Sequence, residues 1–238
     1  MLNIMSHSIV VFVGPIGAGK STHIHLLAKY MRNKKKRVII TCLKSYHLFV
    51  NIILYLFEKF LMPRRKSKFH PIRLLFESRS HVFRRLFRLL AYLDVLSIAL
   101  KYLLRVYLPS KLGYCILVED YVLSTLADYM FLLAQIRLDP HILKGLWLKI
   151  LIRFLNATPV TMYVYLDADN RALVERWHMR GTPYDRISYV EAQRRLIPRL
   201  YKILDDTRPF ICINTSDKEP KEVQEHIIAI LDKMLKMC

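Results

Sequence analysis

The chain has 238 residues, 53% of them hydrophobic, and a formal charge of +19 from 38 lysines and arginines against 19 acids. That length suits one α/β domain with an embellishment, residues 1–238 together, and that apolar content excludes disorder on a large scale. The charge calls for an anionic partner, which composition leaves open among a nucleotide, a phosphorylated acceptor, a nucleic acid and an anionic membrane surface; part of it is ordinary solvated surface.

The opening segment, Met1 to Ser8, lacks the basic region, apolar stretch and small-residue cleavage site of a signal peptide, so it is expected to belong to the fold. Ser8 to Val13 then reads as a buried strand, and it runs straight into Gly14-Pro15-Ile16-Gly17-Ala18-Gly19-Lys20-Ser21. This matches the phosphate-loop pattern GxxxxGK(S/T) in its required context, with a strand before it and a helix, Thr22 to Met31, after it. In such a loop glycines let successive N–H groups turn inward on a phosphate, Lys20 reaches the β- and γ-phosphates, and the Ser21 hydroxyl serves Mg²⁺. The bound group is therefore expected to be a nucleoside triphosphate with Mg²⁺, held by Gly14, Pro15, Ile16, Gly17, Ala18, Gly19, Lys20, Ser21 and Thr22.

Further β-branched runs follow at Arg37 to Cys42, Tyr114 to Val118, Thr161 to Leu166 and Phe210 to Ile213, with helical segments between them. Their near-continuous apolar character and the βα alternation predict an α/β P-loop fold with a parallel five-stranded sheet flanked by helices. Cys42, Cys115 and Cys212 lie in these runs and Cys238 ends the chain, without metal-binding spacing, so they are expected to be reduced core thiols of a cytoplasmic protein.

Between the second and third strands, residues 44–112 are far more than a crossover needs and predict a helical insertion on the acceptor side of the site. Its first half holds an apolar run, Ser45 to Phe57, beside Lys59 and the basic cluster Pro63 to Lys68. That run is expected to be a core helix or a homodimer surface, or else to lie peripherally on an anionic membrane. In the second half Leu86, Leu89, Leu93, Leu96, Leu100 and Leu103 form one apolar stripe. Asp94, Ser97, Lys101 and Arg105 form a polar line that faces either solvent or a ligand. No stretch of the chain offers about 18 consecutive apolar, uncharged residues.

The third strand ends in Glu119-Asp120, where carboxylates beside a phosphate loop enter the Mg²⁺ shell or accept the proton of an attacking hydroxyl. Adjacent residues of a strand point to opposite sides, so spacing does not say which acid serves the metal; Ser21 and Glu119 are the candidate ligands. After the fourth strand, Arg171, Arg176 and Arg180 precede Gly181-Thr182-Pro183 and a loop bearing Arg186. Arginines on a closing segment suit phosphoryl transfer, which makes residues 176–190 a candidate lid and Lys20, Glu119, Asp120, Arg176, Arg180 and Arg186 the candidate catalytic set.

The phosphate loop, Glu119-Asp120-Tyr121 with Ser124-Thr125-Leu126-Ala127, the strand Tyr163 to Asp167 and the Arg176 to Arg186 segment together resemble the thymidylate kinase family in type and order. Leu74 to His81 is similar to that family's acceptor-side helix. The resemblance implies a nucleoside-monophosphate-kinase-like core, ATP as phosphoryl donor to a small-molecule acceptor, and a lid over Arg176 to Arg186. The chain departs from it on the acceptor side. Glu119-Asp120-Tyr121 stands where the family has Asp-Arg-Tyr, Thr41 to Tyr46 stands where it has Arg-Glu-Pro, and the insertion has no counterpart of its length. The readings that stay open are a nucleotide or metabolite kinase, a kinase for an amphiphilic or membrane-held acceptor, and a nucleotide-dependent switch or nucleic-acid-binding protein.

Overall fold

The computed structural model describes residues 8–44, 81–136, 145–157, 160–181 and 187–237. Five parallel strands, β1 (Ile9–Val13), β2 (Val38–Cys42), β3 (Cys115–Glu119), β4 (Met162–Asp167) and β5 (Phe210–Asn214), lie in the order β2-β3-β1-β4-β5. Each agrees with its expected range to within a residue. The helices are α1 (Lys20–Asn33), α2 (His81–Tyr102), α3 (Leu108–Lys111), α4 (Val122–Ile136), α5 (Leu146–Ala157), α6 (Asn170–Met179), α7 (Ile187–Leu204) and α8 (Pro220–Met237), with a π turn, Leu103–Tyr107, joining α2 to α3.

Alternation along the strands divides the interior in two, because successive side chains leave opposite faces of a sheet. Val11, Val13, Ile116, Val118, Tyr163 and Tyr165 pack on one face among residues of α2, α4, α5 and α7. Val10, Phe12, Leu117, Met162, Val164 and Leu166 pack on the other, under α1, α6 and α8. Central strand β1 is buried along its whole length, so its carboxyl end, where the phosphate loop begins, is fixed from both sides and by both neighbours. The edge strand β5 is different: Cys212 is exposed there, which corrects its expected place in the core, while Cys115 is buried as expected.

The described part of the insertion is helical, and α2 is turned the other way round from a simple amphipathic surface helix. Asp94 and Ser97 of its polar line face inward with Ala91, Val95 and Ile98, whereas Leu89, Leu96 and Leu100 face outward. Asp94 is fully buried and accepts a hydrogen bond from the Tyr129 hydroxyl of α4 at 2.6 Å, and Ser97 donates to the Leu93 carbonyl at 2.8 Å. A carboxylate removed from water needs such donors, and a charge-assisted bond is the strong kind. The run Ser45 to Phe57, the basic cluster Pro63 to Lys68 and the segment Leu74 to Ser80 lie outside the described residues.

Removing the Tyr129 hydroxyl leaves a buried carboxylate short of a donor. Tyr129→Phe is therefore expected to lower stability by about 1–3 kcal/mol, read as a lower denaturation midpoint at unchanged slope. An unaltered midpoint would show that this contact does not anchor α2 to α4.

Candidate active site

β1 delivers the loop at the carboxyl ends of the strands, where open α/β sheets place their ligands. At Gly14, with φ 131°, an added Cβ would stand 1.9 Å from the Leu166 carbonyl oxygen, so β4 passes too close for any side chain. At Gly17, with φ 94°, a Cβ would stand 2.7 Å from the Trp177 indole nitrogen. Gly19 caps α1, which begins at Lys20 and turns the positive end of its dipole toward the loop.

A loop that aims its N–H groups at a ligand leaves its carbonyl oxygens on the outer side, where each needs a donor. Lys20 donates to the oxygens of Gly14 at 2.7 Å and Pro15 at 3.1 Å. Trp177 Nε1 donates to Ile16 O at 2.9 Å, and Arg176 Nη1 donates to Gly17 O at 3.1 Å. Thr215, just past β5, puts its hydroxyl 3.2 Å from Ala18 O and 3.0 Å from Asp167 O. The guanidinium of Arg176 also holds Thr215, through its Oγ1 at 3.1 Å and its carbonyl at 2.5 Å. Every carbonyl from Gly14 to Ala18 thus meets a side-chain donor.

The braces are themselves held in place. Asp169 caps α6 by accepting from Ala172 N at 2.7 Å, and this bond is the main reason its carboxyl titrates below the usual range. Arg194 of α7 clamps the turn between β4 and α6, donating through Nε to both Asp167 carboxylate oxygens at 3.1 and 2.9 Å and through Nη1 to Asn170 Oδ1 at 2.7 Å. It also donates to Ala168 O.

The two acids at the end of β3 both reach the loop. Ser21 Oγ donates to Glu119 Oε1 at 2.8 Å, and Lys20 Nζ stands 3.9 Å from Asp120 Oδ1. Strand alternation alone would send them to opposite sides. Asp120 instead lies one residue beyond the strand with φ 52°, and this left-handed turn brings its side chain back toward Lys20. Asp120 is 4% exposed, and its N–H donates to Phe12 O at 2.9 Å.

Among the described arginines of this segment, Arg176 reaches the loop, where it meets the Gly17 carbonyl, and also holds Thr215. Arg180 is the exposed C-cap of α6, Arg171 is exposed on the same helix, and Arg186 lies outside the described residues. Ser21 and Thr22 are exposed at the start of α1. Sequence reasoning missed Trp177, Thr215 and Arg194. The available signal was that Asp167 ends β4 and Thr215 directly follows β5, at the carboxyl edge of the sheet.

The oxygens of Ser21 and Glu119 fit Mg²⁺. They are hard donors with one negative charge between them, and their 2.8 Å separation is close to the roughly 2.9 Å between neighbouring ligands of an octahedron with 2.0–2.1 Å bonds.

The parallel sheet, the loop and its two acids define a P-loop NTPase fold. It is the fold of thymidylate kinases: the enzyme from Ehrlichia chaffeensis is similar with a TM-score of 0.52 at 13% identity, covering 95% of this chain and 98% of its own. The thymidylate kinase from Candida albicans is similar with a TM-score of 0.52 at 14% identity, covering 95% and 91%. No protein-family model matches the chain, and no curated protein matches it in sequence.

His23, buried on α1 one turn behind the loop, offers a handle on pH. Burial, reinforced by the charge of Arg176, holds its imidazole below the ordinary 6.5. With its amide turned so that the nitrogen faces His23 Nδ1 at 3.1 Å, Gln224 donates to the neutral ring. A depressed folded value means that the unfolded chain takes up the proton first, so the stability contribution is complete above 6.5 and is lost as pH falls through the folded value. Guanidinium denaturation should show the wild type losing stability as pH falls below about 6.5, with a shallower loss in His23→Gln. Equal slopes in the two proteins would assign the acid sensitivity to other groups.

Proposed function

We propose that this protein is an ATP- and Mg²⁺-dependent phosphotransferase of the thymidylate-kinase-like kind, acting on a small acceptor. The observation that carries the reading is the pairing at the head of the loop: Ser21 with Glu119 at 2.8 Å and Lys20 beside Asp120 at 3.9 Å. It brings a hydroxyl, an ammonium and two carboxylates to the place where the phosphates of a triphosphate lie on the inward N–H groups. The similarity to two thymidylate kinases supports the same reading at the level of fold.

In this reading the loop N–H groups and the α1 dipole bind the β- and γ-phosphates, and Lys20 leaves the Gly14 and Pro15 carbonyls to follow the γ-phosphoryl as charge moves. Mg²⁺, when bound, would neutralise phosphate charge, and Ser21 and Glu119 would hold it. An acceptor oxygen attacks the γ-phosphorus as the bond to the ADP oxygen breaks and ADP leaves; where that oxygen is a hydroxyl, its proton passes to a carboxylate of the Glu119-Asp120 pair. Arg176, Trp177 and Thr215 position the loop by holding its carbonyls outward.

The two carboxylates also bear on the acceptor. The thymidylate kinase pattern presents an acid and an arginine here; this chain presents two acids, and like charges near one another in a partly desolvated site are costly. The site therefore favours an acceptor whose reactive hydroxyl has no phosphate beside it, and thymidylate is expected to be a poor one.

The direct test is acceptor-dependent formation of ADP from ATP across nucleoside monophosphates, nucleosides and polyprenol-type alcohols. Lys20→Ala should keep the fold and lose roughly 10³-fold in rate, since a transition-state contact to phosphate is worth several kcal/mol. Wild-type turnover in that variant would remove the loop from the chemistry.

A second test addresses the metal. Activity should disappear in chelator and return with Mg²⁺ or Mn²⁺, and Ser21→Ala should raise the metal concentration needed for half-maximal rate. Transfer that proceeds equally well in chelator would overturn the assignment of Ser21 and Glu119.

A further inference from the structure

The inverted orientation of α2 leaves an unusual outer surface. Along α2, the π turn and α3, Leu89, Leu96, Leu100, Leu103, Leu104 and Leu108 are all exposed, between 43% and 58%. Tyr92 and Leu112 extend the surface at 46% and 63% exposure. A helix face meant for water is polar, and scattered single leucines on a surface are ordinary; a continuous row of them is not.

The π turn keeps the row straight. A π turn takes in one extra residue, which sets the following residues back by about 100° on the helical wheel. Leu108 would otherwise drift toward the flank; with the turn at Leu103–Tyr107 it returns to the line of Leu89 and Leu100. From Leu89 to Leu112 the row is about 35 Å long at 1.5 Å per residue.

Charge decides what this row fits. The other exposed residues between positions 89 and 112 are Arg105 and Lys111. The one acid between positions 81 and 112 is Asp94, which is fully buried against Tyr129. The face therefore combines leucine with cations and offers no carboxylate to the cations of a second copy, which would itself carry +19. Leucines flanked by lysine and arginine match a bilayer interface, where acyl chains take the apolar groups and anionic headgroups the cations. No helix among the described residues is long and apolar enough to cross a membrane, so the geometry is that of lying on a surface.

We propose that the outer face of α2, the π turn and α3 is a peripheral docking surface for an anionic lipid bilayer. The leucines enter the headgroup boundary while Arg105 and Lys111 meet lipid phosphates. The inference is independent of which acceptor the phosphate loop serves.

Flotation of the full-length protein with two kinds of vesicle tests it: phosphatidylcholine alone, and phosphatidylcholine with roughly one-third phosphatidylglycerol. The wild type should partition at least about tenfold more strongly to the anionic vesicles, and less so as salt rises. Leu96→Ser/Leu100→Ser/Leu103→Ser changes only exposed positions; it should keep the circular dichroism of the wild type and lose at least about tenfold in capture. Arg105→Glu/Lys111→Glu should remove the preference for anionic over neutral vesicles. A wild type that stays in solution with both kinds of vesicle overturns the proposal. So does a triple serine variant that floats like the wild type, or one whose only change is the dissociation of a dimer seen by light scattering, which would give the face to a second copy.

Discussion

The outward carbonyls of the phosphate loop are the constraint on which the rest of the site depends. A backbone that presents its N–H groups to a phosphate has to turn its C=O groups the other way, and buried polar groups without partners are costly. In this chain the partners come from two distant places, Trp177 and Arg176 on α6 and Thr215 after β5, and from Lys20 of the loop itself. The position of α6 therefore bears on the shape of the whole loop. Arg194, which ties α7 to the turn before α6, matters one step further out.

A second polar arrangement, on the opposite face of the sheet, decides how α2 is turned. Asp94 is drawn inward to Tyr129, and the same rotation that buries it exposes the leucines of α2. Nearby on α4 and α7, Asp128 accepts from the Tyr189 hydroxyl, which in turn accepts from Gln193 at 2.9 Å. Polar pairs of this kind fix one packing of helices more sharply than apolar contact does, because a slipped register strands a charge.

What the sequence made legible follows from how local each feature is. The loop, its flanking strand and α1 are written in 26 consecutive residues, Ser8 to Asn33, with glycines at positions whose geometry admits nothing else. The three inner strands were readable because strands buried on both faces are continuous apolar runs, and the edge strands β2 and β5 because they too are short runs of β-branched and apolar residues. The braces were not, since Gly17 and Arg176 are 159 positions apart and Ala18 and Thr215 are 197 apart, and nothing local marks them. The common side taken by Glu119 and Asp120 was hidden for a different reason: the strand ends one residue earlier than alternation assumes, and the left-handed backbone at Asp120 reverses the expected direction. For α2, periodicity separated two stripes but could not say which one faced inward. That was settled by a donor on another helix.

The circuit of braces also sets an order on the birth of the molecule. The cradle is encoded near the beginning of the chain, yet the hydroxyl that meets the Ala18 carbonyl arrives with Thr215, and the sheet edge beyond β4 arrives with β5. At roughly 5–20 residues per second a ribosome needs on the order of ten to forty seconds to travel from one to the other. Throughout that interval the nascent loop lacks part of its outer hydrogen bonding. The loop's outer hydrogen bonding is thus finished only after β5 has been made, long after the loop itself.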